Sequence, residues 1–533
     1  MSEPPSDDAT KGEGRRDPVV EVRTAVQDAR PHELPADDVA LANEPRNDLG
    51  NARRLVARHG HNLAAIGQEK VAWLVWDGKR FSREAGFAEA LRLAQQTSEK
   101  IIDEADAIAA QFNRPRPIGA DNAPEVRQWA SEQARNDKRA SLQRRFALSS
   151  GNIGKCRAML DAAVPVLRRA ATEFDALPML FNVENGTLEF RSASDIFLRE
   201  HRQADLLTKL ARVAYDPEAD CPKFRAFVHH ILPNRRVARY VQSLLGYCLT
   251  GDTGEQTLFI FLGPGANGKS TLIETICDIL SDYAVTLDIK TFLHNDRQRG
   301  GDATPDLARL PGARLVTAAE PEPGDRLSES LIKTITGGER IVVRPLFKDQ
   351  SEIQPSFKPI ILANNAPTIR GSDDGIWRRI VMVPFDVRIA KEARNKHLKE
   401  DLLKERAGIL NWLLDGLRIY LEEGLQPPPE VMKATDEYRT DNDQVGLFLS
   451  AATAADSAAR VSSRELRDAY HSWCEANGLE PVHDNTFGRK MTDRGIRREK
   501  CGIMYYLGLR LIRSSFASAD DAESNNDSPP DQI

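Results

Sequence analysis

The stretch from Leu258 to Thr271 reads LFIFLGPGANGKST, and it decides how the rest of the chain is interpreted. Its first five residues predict a buried strand, and a helix is expected to begin near Ser270. Between them lies the pattern G-x-x-x-x-G-K-[ST], in which backbone N–H groups surround phosphates, the lysine reaches the β- and γ-oxygens and the hydroxyl binds Mg²⁺. The predicted nucleotide-binding residues are Gly263, Pro264, Gly265, Ala266, Asn267, Gly268, Lys269, Ser270 and Thr271.

Composition is typical of a soluble globular chain. The 533 residues are 41% hydrophobic and 29% charged, a length that fits roughly two to four domains. No apolar run of about 18 residues and no apolar signal core is present, so we expect neither membrane insertion nor secretion. The six cysteines are scattered without a C-x-x-C pair, which favours a reducing cytoplasm over a zinc ribbon. The net charge of −6 means that any DNA contact must come from local basic surfaces.

The segment before the phosphate-loop pattern predicts a mainly helical domain. A disordered lead is expected over residues 1–48, followed by an α+β domain over 49–250 that contains hairpins at Asp77-Gly78 and Asn185-Gly186. The tetrapeptide at residues 103–106 spells DEAD, the name of a helicase motif. It lies on a predicted helix far upstream of the loop, so we interpret it as a solvated helix face.

A second predicted strand supplies acidic residues. Leu315 to Ala319 form an apolar run, and Glu320 and Glu322 follow its carboxyl end. One carboxylate is expected on the Mg²⁺ side and the other beside the attacking water. We place Glu320 on the metal side, and the role of Glu322 stays open. The alternative is two surface acids in a proline-rich turn.

Two further patterns follow in the order that a nucleotide hydrolase requires. The apolar run KPIILA ends in Asn364 and Asn365, where an amide would hydrogen-bond the γ-phosphate or the attacking water. Asparagine also commonly ends strands for structural reasons alone. Arg378 and Arg379 then precede the apolar run IVMVPF. An arginine at such a place is ordinarily a surface residue, but ring-shaped ATPases use one to reach the neighbouring subunit's γ-phosphate.

Taken in order, these stretches resemble the superfamily 3 helicase motor of the AAA+ class, as found in phage, plasmid and poxvirus primase–helicases. GPGANGKST, RLVTAAEPE, LIKTITGGE, KPIILANNAP and GIWRRIVMVPF carry the resemblance, which extends over roughly residues 50 to 510. It implies ATP and Mg²⁺ as ligands, Asn365 as the sensor and Arg378 or Arg379 as the arginine finger. The α/β P-loop motor would occupy 251–390, with helical closure and linker over 391–443.

The segment ERIVVRPLFKDQSEI predicts a hairpin that turns at Lys348-Asp349-Gln350. In a ring it would point into the pore, where Arg344 and Lys348 face phosphates and Phe347 offers a ring to bases. The alternative is an ordinary exposed hairpin.

A separate C-terminal domain is expected over residues 444–514, ahead of a disordered tail at 515–533. Two predicted helices and a strand pair resemble a winged helix, with Ser462 or Ser463 capping the first helix. The second helix carries Arg489, Lys490 and Arg494, which would contact DNA or a partner protein.

These patterns predict an ATP-dependent DNA helicase, a hexameric ring that moves along single-stranded DNA of a forked duplex in a bacterial or phage-infected cytoplasm. A primase or an origin-binding protein is a possible partner. We expect no primase activity, because the residues before the middle domain are too few for a polymerising domain. The alternatives are a replication initiator or DNA-packaging ATPase, and a winged-helix DNA-binding regulator whose ATP site controls assembly.

Overall fold

The computed structural model describes residues 37–67, 70–84, 86–295, 306–343, 351–369 and 374–512. These residues separate into two compact units. The first contains the described residues up to Leu177 together with Glu200–Lys209, and the second contains Pro178–Arg199 and the described residues from Leu210 onward. Within the described ranges, no helix is both long and apolar enough to cross a membrane.

The first unit combines helices with a small antiparallel sheet of order β1-β2-β3. Strands β2 and β3 meet at Asp77-Gly78, as predicted, because Asp77 Oδ1 accepts hydrogen bonds from the N–H groups of Lys79 and Arg80 and Gly78 adopts a φ of +97°. The elements are α1 (Asp38–Leu41), α2 (Asp48–His59), β1 (Leu63–Ile66), β2 (Ala72–Trp76), β3 (Phe81–Ser82), α3 (Gly86–Gln111), α4 (Pro124–Ser150) and α5 (Ile153–Leu167).

A buried ion pair joins helices of this unit and corrects one prediction. Residues 103–106 lie on helix α3, as expected, but Glu104 is fully buried rather than solvated. Its Oε2 lies 2.9 Å from Nε of Arg54, which is also fully buried, and Gln143 donates a second hydrogen bond of 2.8 Å. Asp106 is exposed. The error arose because charged residues are almost never fully buried unless paired, and the partner lies fifty positions away.

The second unit begins with elements that we assigned to the preceding domain. The sheet β4-β5-β6 contains the predicted hairpin at Asn185-Gly186. Phe224 and Val241, on α6 and α7, belong to the same buried cluster as Phe259 and Phe261 of strand β7. The predicted boundary near residue 251 therefore falls inside one continuous core. These elements are β4 (Leu180–Val183), β5 (Gly186–Phe190), β6 (Ile196–Arg199), α6 (Pro222–Ile231), α7 (Arg235–Tyr247) and β7 (Leu258–Leu262).

A parallel sheet of order β13-β7-β12-β9-β8 organises the middle of the second unit. Its strands are near-continuous apolar runs, as expected of a sheet that is covered on both faces. Because all five strands are parallel, their carboxyl ends share one edge. The elements from this region are α8 (Lys269–Leu280), β8 (Ala284–Thr286), β9 (Leu315–Ala319), α9 (Glu329–Thr336), β10 (Ile341–Val343), β11 (Ser351–Ile353), β12 (Lys358–Ala363), α10 (Asp374–Trp377) and β13 (Ile380–Pro384).

Three helices follow the sheet: α11 (Leu398–Leu403), α12 (Arg406–Glu423) and α13 (Pro429–Asp441). Helices α12 and α7 approach closely because each presents a glycine at the crossing. A Cβ on Gly416 would overlap the Gln242 carbonyl oxygen, and one on Gly246 would overlap the backbone at Leu417. This crossing ties the closing helices to the core that also contains the sheet.

The C-terminal elements have a cluster of their own, in which Phe448, Tyr470, Phe487 and Tyr506 are buried together. Ser462 caps helix α15 as predicted, since its hydroxyl accepts the Glu465 N–H at 3.1 Å. The sheet order is β14-β16-β15. The elements are α14 (Gln444–Ala452), β14 (Thr453–Ser462), α15 (Ser463–Ala476), α16 (Asp484–Asp493), β15 (Arg498–Cys501) and β16 (Ile503–Leu511).

Candidate functional site

The glycine-rich loop between β7 and α8 has a left-handed backbone that its sequence accommodates. Gly265 and Gly268 both have φ of +82°, and Ala266 between them has φ of +51°. Glycine enters this region without a steric penalty, whereas other residues rarely do. The local sequence therefore determines the shape of the loop.

Two glycines of the loop are also required by packing. A Cβ on Gly263 would overlap the carbonyl oxygen of Phe385, and a Cβ on Gly268 would lie 2.5 Å from Cγ2 of Ile231. The loop is thus held between the segment after β13 and helix α6. Because its inner side is packed against protein, its other side is available to a ligand.

Asn267 holds the loop from within. Its side chain is buried, and its Nδ2 donates to the Phe385 carbonyl at 3.1 Å. The Ile389 N–H donates to the Ala266 carbonyl at 2.8 Å. We predicted Asn267 as a nucleotide contact; the structure instead gives its side chain a supporting role, which leaves only its backbone to face a ligand.

Lys269 places a buried ammonium group beside the loop. The residue is only 3% exposed, and its Nζ donates to the Gly263 carbonyl at 2.9 Å and to Asn364 Oδ1 at 3.2 Å. Burial lowers the pKa of this ammonium, and the charge of Glu320 opposes that change. Both hydrogen-bond acceptors are neutral, so the positive charge is held in place without being neutralised by direct contact.

Helix α8 starts at Lys269, with Gly268 at its N-cap and no side-chain cap. The N–H groups of Ser270 and Thr271 therefore lie in the first turn, where backbone donors lack intrahelical acceptors and the helix dipole favours an anion. The Ser270 hydroxyl is exposed at the same place. Loop, lysine and helix end together fit the phosphates of a nucleotide.

Glu320 stands where the sequence placed it, at the carboxyl end of β9. Its N–H donates to the Leu362 carbonyl at 2.8 Å, and its φ of +60° is unusual for a residue with a Cβ. Glu322 is exposed in the following turn, and its N–H donates to Asp325 Oδ2 at 2.8 Å. Of the two acids, Glu320 is the one whose charge acts on Lys269.

The sequence singled out Asn365, but the structure brings Asn364 to the lysine. Asn364 follows the last residue of β12, which pairs with β7, so its amide reaches across to Lys269. Asn365 is exposed, and no hydrogen bond joins it to the loop within the described residues. Strand pairing decides between these neighbours, and the run Asn364-Asn365 alone carries no signal for it.

The arginine pair lies at the opposite edge of the sheet. Ile380, directly after the pair, is opposite Leu258 at the start of β7, whereas the loop follows Leu262 at its end. At about 3.3 Å per residue the two places are roughly 16 Å apart along the strand. Arg378 is exposed, while Arg379 is partly buried and its Nη1 donates to the Gly375 carbonyl at 2.6 Å. Neither guanidinium is beside the loop of its own chain.

The predicted DNA contacts have mixed outcomes. Strands β10 and β11 pair antiparallel, as the predicted hairpin requires, but its turn and the residues Arg344, Phe347 and Lys348 lie outside the described residues.

Of the three cations predicted to contact DNA at helix α16, only Arg489 is exposed. Lys490 is 2% exposed and lies 3.9 Å from Asp443, and Arg494 pairs with the same carboxylate. The prediction that Lys490 contacts DNA is wrong for this structure, because its side chain points into the core of the domain; Arg494 is likewise engaged.

Comparison with protein families matches three regions of the chain. Residues 52–233 match the family described as D5 N terminal like, residues 261–379 match a family of unknown function, and residues 440–494 match the family described as poxvirus D5 protein-like. The matches follow one another from the helical first unit to the C-terminal elements. The second match, residues 261–379, includes the glycine-rich loop and ends at Arg379.

Proteins of several viruses match about half of the chain. "Putative helicase L207/L206" of Acanthamoeba polyphaga mimivirus is 31% identical over 291 residues, which are 51% of this chain and 30% of the relative. A "Putative helicase" of Frog virus 3 is 25% identical over 48% of this chain and 28% of its own length. A "Putative primase" of African swine fever virus is 22% identical over 57% of this chain and 34% of its own length. The chain thus spans about a third or less of each relative.

Among solved structures, the apo form of the NrS-1 C-terminal region covers 56% of this chain and 77% of its own, with 13% identity and a TM-score of 0.37. That likeness is too distant to add to the argument. The families at both ends and the viral relatives agree with the resemblance that the motifs carry. Two segments of the chain, residues 52–233 and 440–494, are thus similar to D5-type families, and the chain is similar to viral proteins named putative helicase or putative primase.

Proposed function

We propose that the protein is an ATP-dependent DNA helicase of superfamily 3, with a P-loop motor of the AAA+ class and a C-terminal winged helix. The observation that carries this proposal is the group of Lys269, Asn364 and Glu320 at the carboxyl edge of the parallel sheet, beside the glycine-rich loop. Ligands of open α/β sheets bind at that edge. The order β7-β12-β9 supports the assignment, because it places the asparagine between the lysine and the acid.

Lys269 would exchange its two neutral acceptors for phosphate oxygens when ATP binds. The loop and the first turn of α8 supply backbone donors to the same phosphates, so the charge that develops during phosphoryl transfer meets donors already in place. Mg²⁺ would be held by the Ser270 hydroxyl and the Glu320 carboxylate, with phosphate oxygens completing its shell, and it would neutralise charge on the β- and γ-phosphates.

The acid and amide side chains around Lys269 would orient and deprotonate the attacking water. Asn364, released from the lysine, can donate from its amide nitrogen to the γ-phosphate or to the attacking water. Glu322 is exposed, and because Glu320 would hold Mg²⁺, Glu322 is the carboxylate left to accept the proton of that water. The contact of Asn364 with Lys269 favours Asn364 over Asn365 as the sensor.

The far position of the arginine pair supports a ring. Arg378 and Arg379 cannot serve the loop of their own chain across the length of β13, whereas in a head-to-tail ring they face the loop of the next subunit. Arg378 is the better finger, because Arg379 already donates to Gly375. A hexamer, with the β10–β11 hairpin carrying Arg344, Phe347 and Lys348 toward single-stranded DNA, completes the proposal.

The test uses the purified protein with a forked DNA duplex. We expect ATP hydrolysis that single-stranded DNA stimulates, and ATP-dependent displacement of one strand. Lys269→Ala should remove both. Hydrolysis without displacement would favour a replication initiator or packaging ATPase, and sequence-specific DNA protection without hydrolysis would favour a regulator.

The name of the African swine fever virus relative makes primase the second candidate. Primer synthesis from ribonucleotides on a single-stranded template distinguishes the two activities. Labelled ribonucleotides extended into short products would show primase activity and favour this second candidate.

A further inference from the structure

On helix α16, one of the three predicted cations is exposed and the other two are engaged, whereas further exposed cations lie at the β15–β16 hairpin. Lys490 and Arg494 of the helix are turned toward Asp443. Burial lowers the pKa of Lys490, while Asp443 opposes that change, as expected of a lysine placed inside the fold. A phosphate approaching the helix would therefore meet Arg489 as its exposed cation.

Three cations line the start of the hairpin. Arg497 and Lys500 are exposed, and neither forms an ion pair within the part of the chain that the structure describes. Arg498 is exposed as well, but it is fixed at the joint with helix α16: its Nη2 donates to Thr492 Oγ1 at 3.0 Å, and its guanidinium lies 5.3 Å from the centre of the Tyr506 ring. The hairpin thus has two unengaged cations and one that anchors its base.

The tip of the hairpin is apolar and exposed. Gly502 makes the turn with φ of +73°, and next to it Ile503 is 56% and Met504 is 38% exposed. Lys500 is paired opposite Met504, so this cation and this apolar side chain share one face, whereas Ile503 is paired opposite Cys501 on the face that also carries Glu499. At the tip, both faces of the hairpin therefore present an exposed apolar side chain. Exposed apolar side chains beside cations at the end of a narrow hairpin fit the minor groove of duplex DNA, where such residues act as wedges between base steps.

The aromatic residues argue against a single-stranded ligand at this surface. Binding of single strands relies on exposed rings on which bases stack. Tyr505 is covered by Arg460, whose guanidinium lies 4.6 Å from the ring centre, and Tyr506 is only 2% exposed. Tyr506 is therefore closed to a base, and Tyr505 already has a cation over its ring.

We propose that the β15–β16 hairpin is a duplex-DNA contact, with Ile503 and Met504 entering the minor groove and Arg497 and Lys500 bound to the flanking phosphates. This inference rests on the proposed function in that DNA is the substrate. It assigns the duplex ahead of the fork to the C-terminal domain, and it makes the hairpin, not helix α16, the contacting element.

The test measures binding of the full chain to a blunt duplex, without nucleotide, over a series of salt concentrations. Arg497→Ala combined with Lys500→Ala should weaken binding about tenfold and reduce the salt slope by about 1.8, since each lost phosphate contact removes about 0.9. The matched control is Arg464→Ala combined with Lys433→Ala, which removes the same charge from exposed helix positions. The control should leave affinity and slope unchanged.

A second variant separates the tip from the charge. Ile503→Ser should weaken duplex binding several-fold without changing the salt slope, because it removes an apolar contact and no phosphate contact. ATP hydrolysis measured without DNA should be unchanged in all variants, so a failure here is distinguishable from a failure of the proposed function. Unchanged duplex affinity in the double variant would overturn the proposal. So would an equal loss with single-stranded DNA, or binding of a protein partner that the same substitutions abolish while duplex binding persists.

Discussion

Lys269 and Lys490 are both predicted ligand contacts and both buried, yet the structure gives them opposite roles. Burial lowers the pKa of each. Lys269 donates to a backbone carbonyl and to Asn364, both neutral, whereas Lys490 faces the carboxylate of Asp443, which also pairs with Arg494. A buried cation held by neutral groups keeps its charge available for an anion. A buried cation beside a carboxylate is already balanced and serves the fold.

Replacing each of the two lysines by methionine tests their opposite roles and should give the largest effect. Lys269→Met should lower ATP turnover by about 10⁴-fold or more while leaving the thermal unfolding midpoint near that of the wild type, because the lost charge acts on the phosphates. Lys490→Met should do the reverse: a lower midpoint, since Asp443 loses one of its two cations, with turnover near normal. Steady-state hydrolysis and thermal unfolding of both proteins check it. Equal losses of turnover in the two variants would show that burial and partners do not separate the roles.

The arginine pair is a second contrast between an available and an engaged cation. Arg378→Ala should lower turnover about a thousandfold, because an exposed guanidinium is free to complete the neighbouring site. Arg379→Ala should cost much less, since that side chain donates to Gly375 in its own turn.

Mixed assemblies provide the control for action between subunits. Adding the Arg378→Ala protein to the wild type should reduce turnover more than in proportion to its fraction, because each variant subunit disables a neighbour. Turnover strictly proportional to the wild-type fraction would contradict action in trans.

Asn364 and Asn365 are adjacent, but only Asn364 contacts Lys269, so alanine variants of the two should differ in turnover. Asn364→Ala should reduce turnover about a hundredfold, as expected when one preorganised donor is lost. Asn365→Ala is the matched control and should have little effect, because its side chain is exposed and makes no hydrogen bond to the loop within the described residues. Hydrolysis rates at saturating ATP decide the matter, and the opposite ranking would restore the assignment made from the sequence.

The smallest effect concerns Lys358, a third buried lysine, at the first residue of β12. Its Nζ donates to the Thr250 and Asp252 carbonyls, and burial lowers its pKa from 10.5 to about 7. The unfolded chain therefore binds more protons between pH 7 and 10.5, so this residue makes the free energy of unfolding rise with pH in that window and contributes no slope below it.

Lys358→Met should remove up to about 1.4 kcal/mol per pH unit of that rise. Unfolding midpoints at pH 7, 8 and 9 measure the slope, with the exposed Lys290→Met as control. An unchanged slope in Lys358→Met would mean that the lysine stays charged in the fold.

Local sequence patterns anticipated the elements well. Strands β7 and β9, helix α15 with its cap at Ser462, and the turns at Asp77-Gly78 and Asn185-Gly186 are where the residues predicted them. These features depend on neighbours a few positions apart, such as alternation, capping and left-handed glycines. The loop around Lys269 belongs to the same class, because its glycines fix the backbone that places the lysine.

What the sequence left undetermined depends on contacts between distant positions. It singled out Asn365 of two adjacent asparagines, and it named two adjacent arginines and three cations near one helix without ranking them. The pairing of β12 with β7 brings Asn364 to Lys269, and Arg379 donates to the Gly375 carbonyl while Arg378 is exposed. The position of Asp443 turns Lys490 inward, and Glu104 is buried because Arg54 lies against it. The sequence by itself predicted the chemistry of the chain, whereas the tertiary structure decided which side chains lie beside the glycine-rich loop. Such neighbours are set by the packing of elements against one another, which no single element determines.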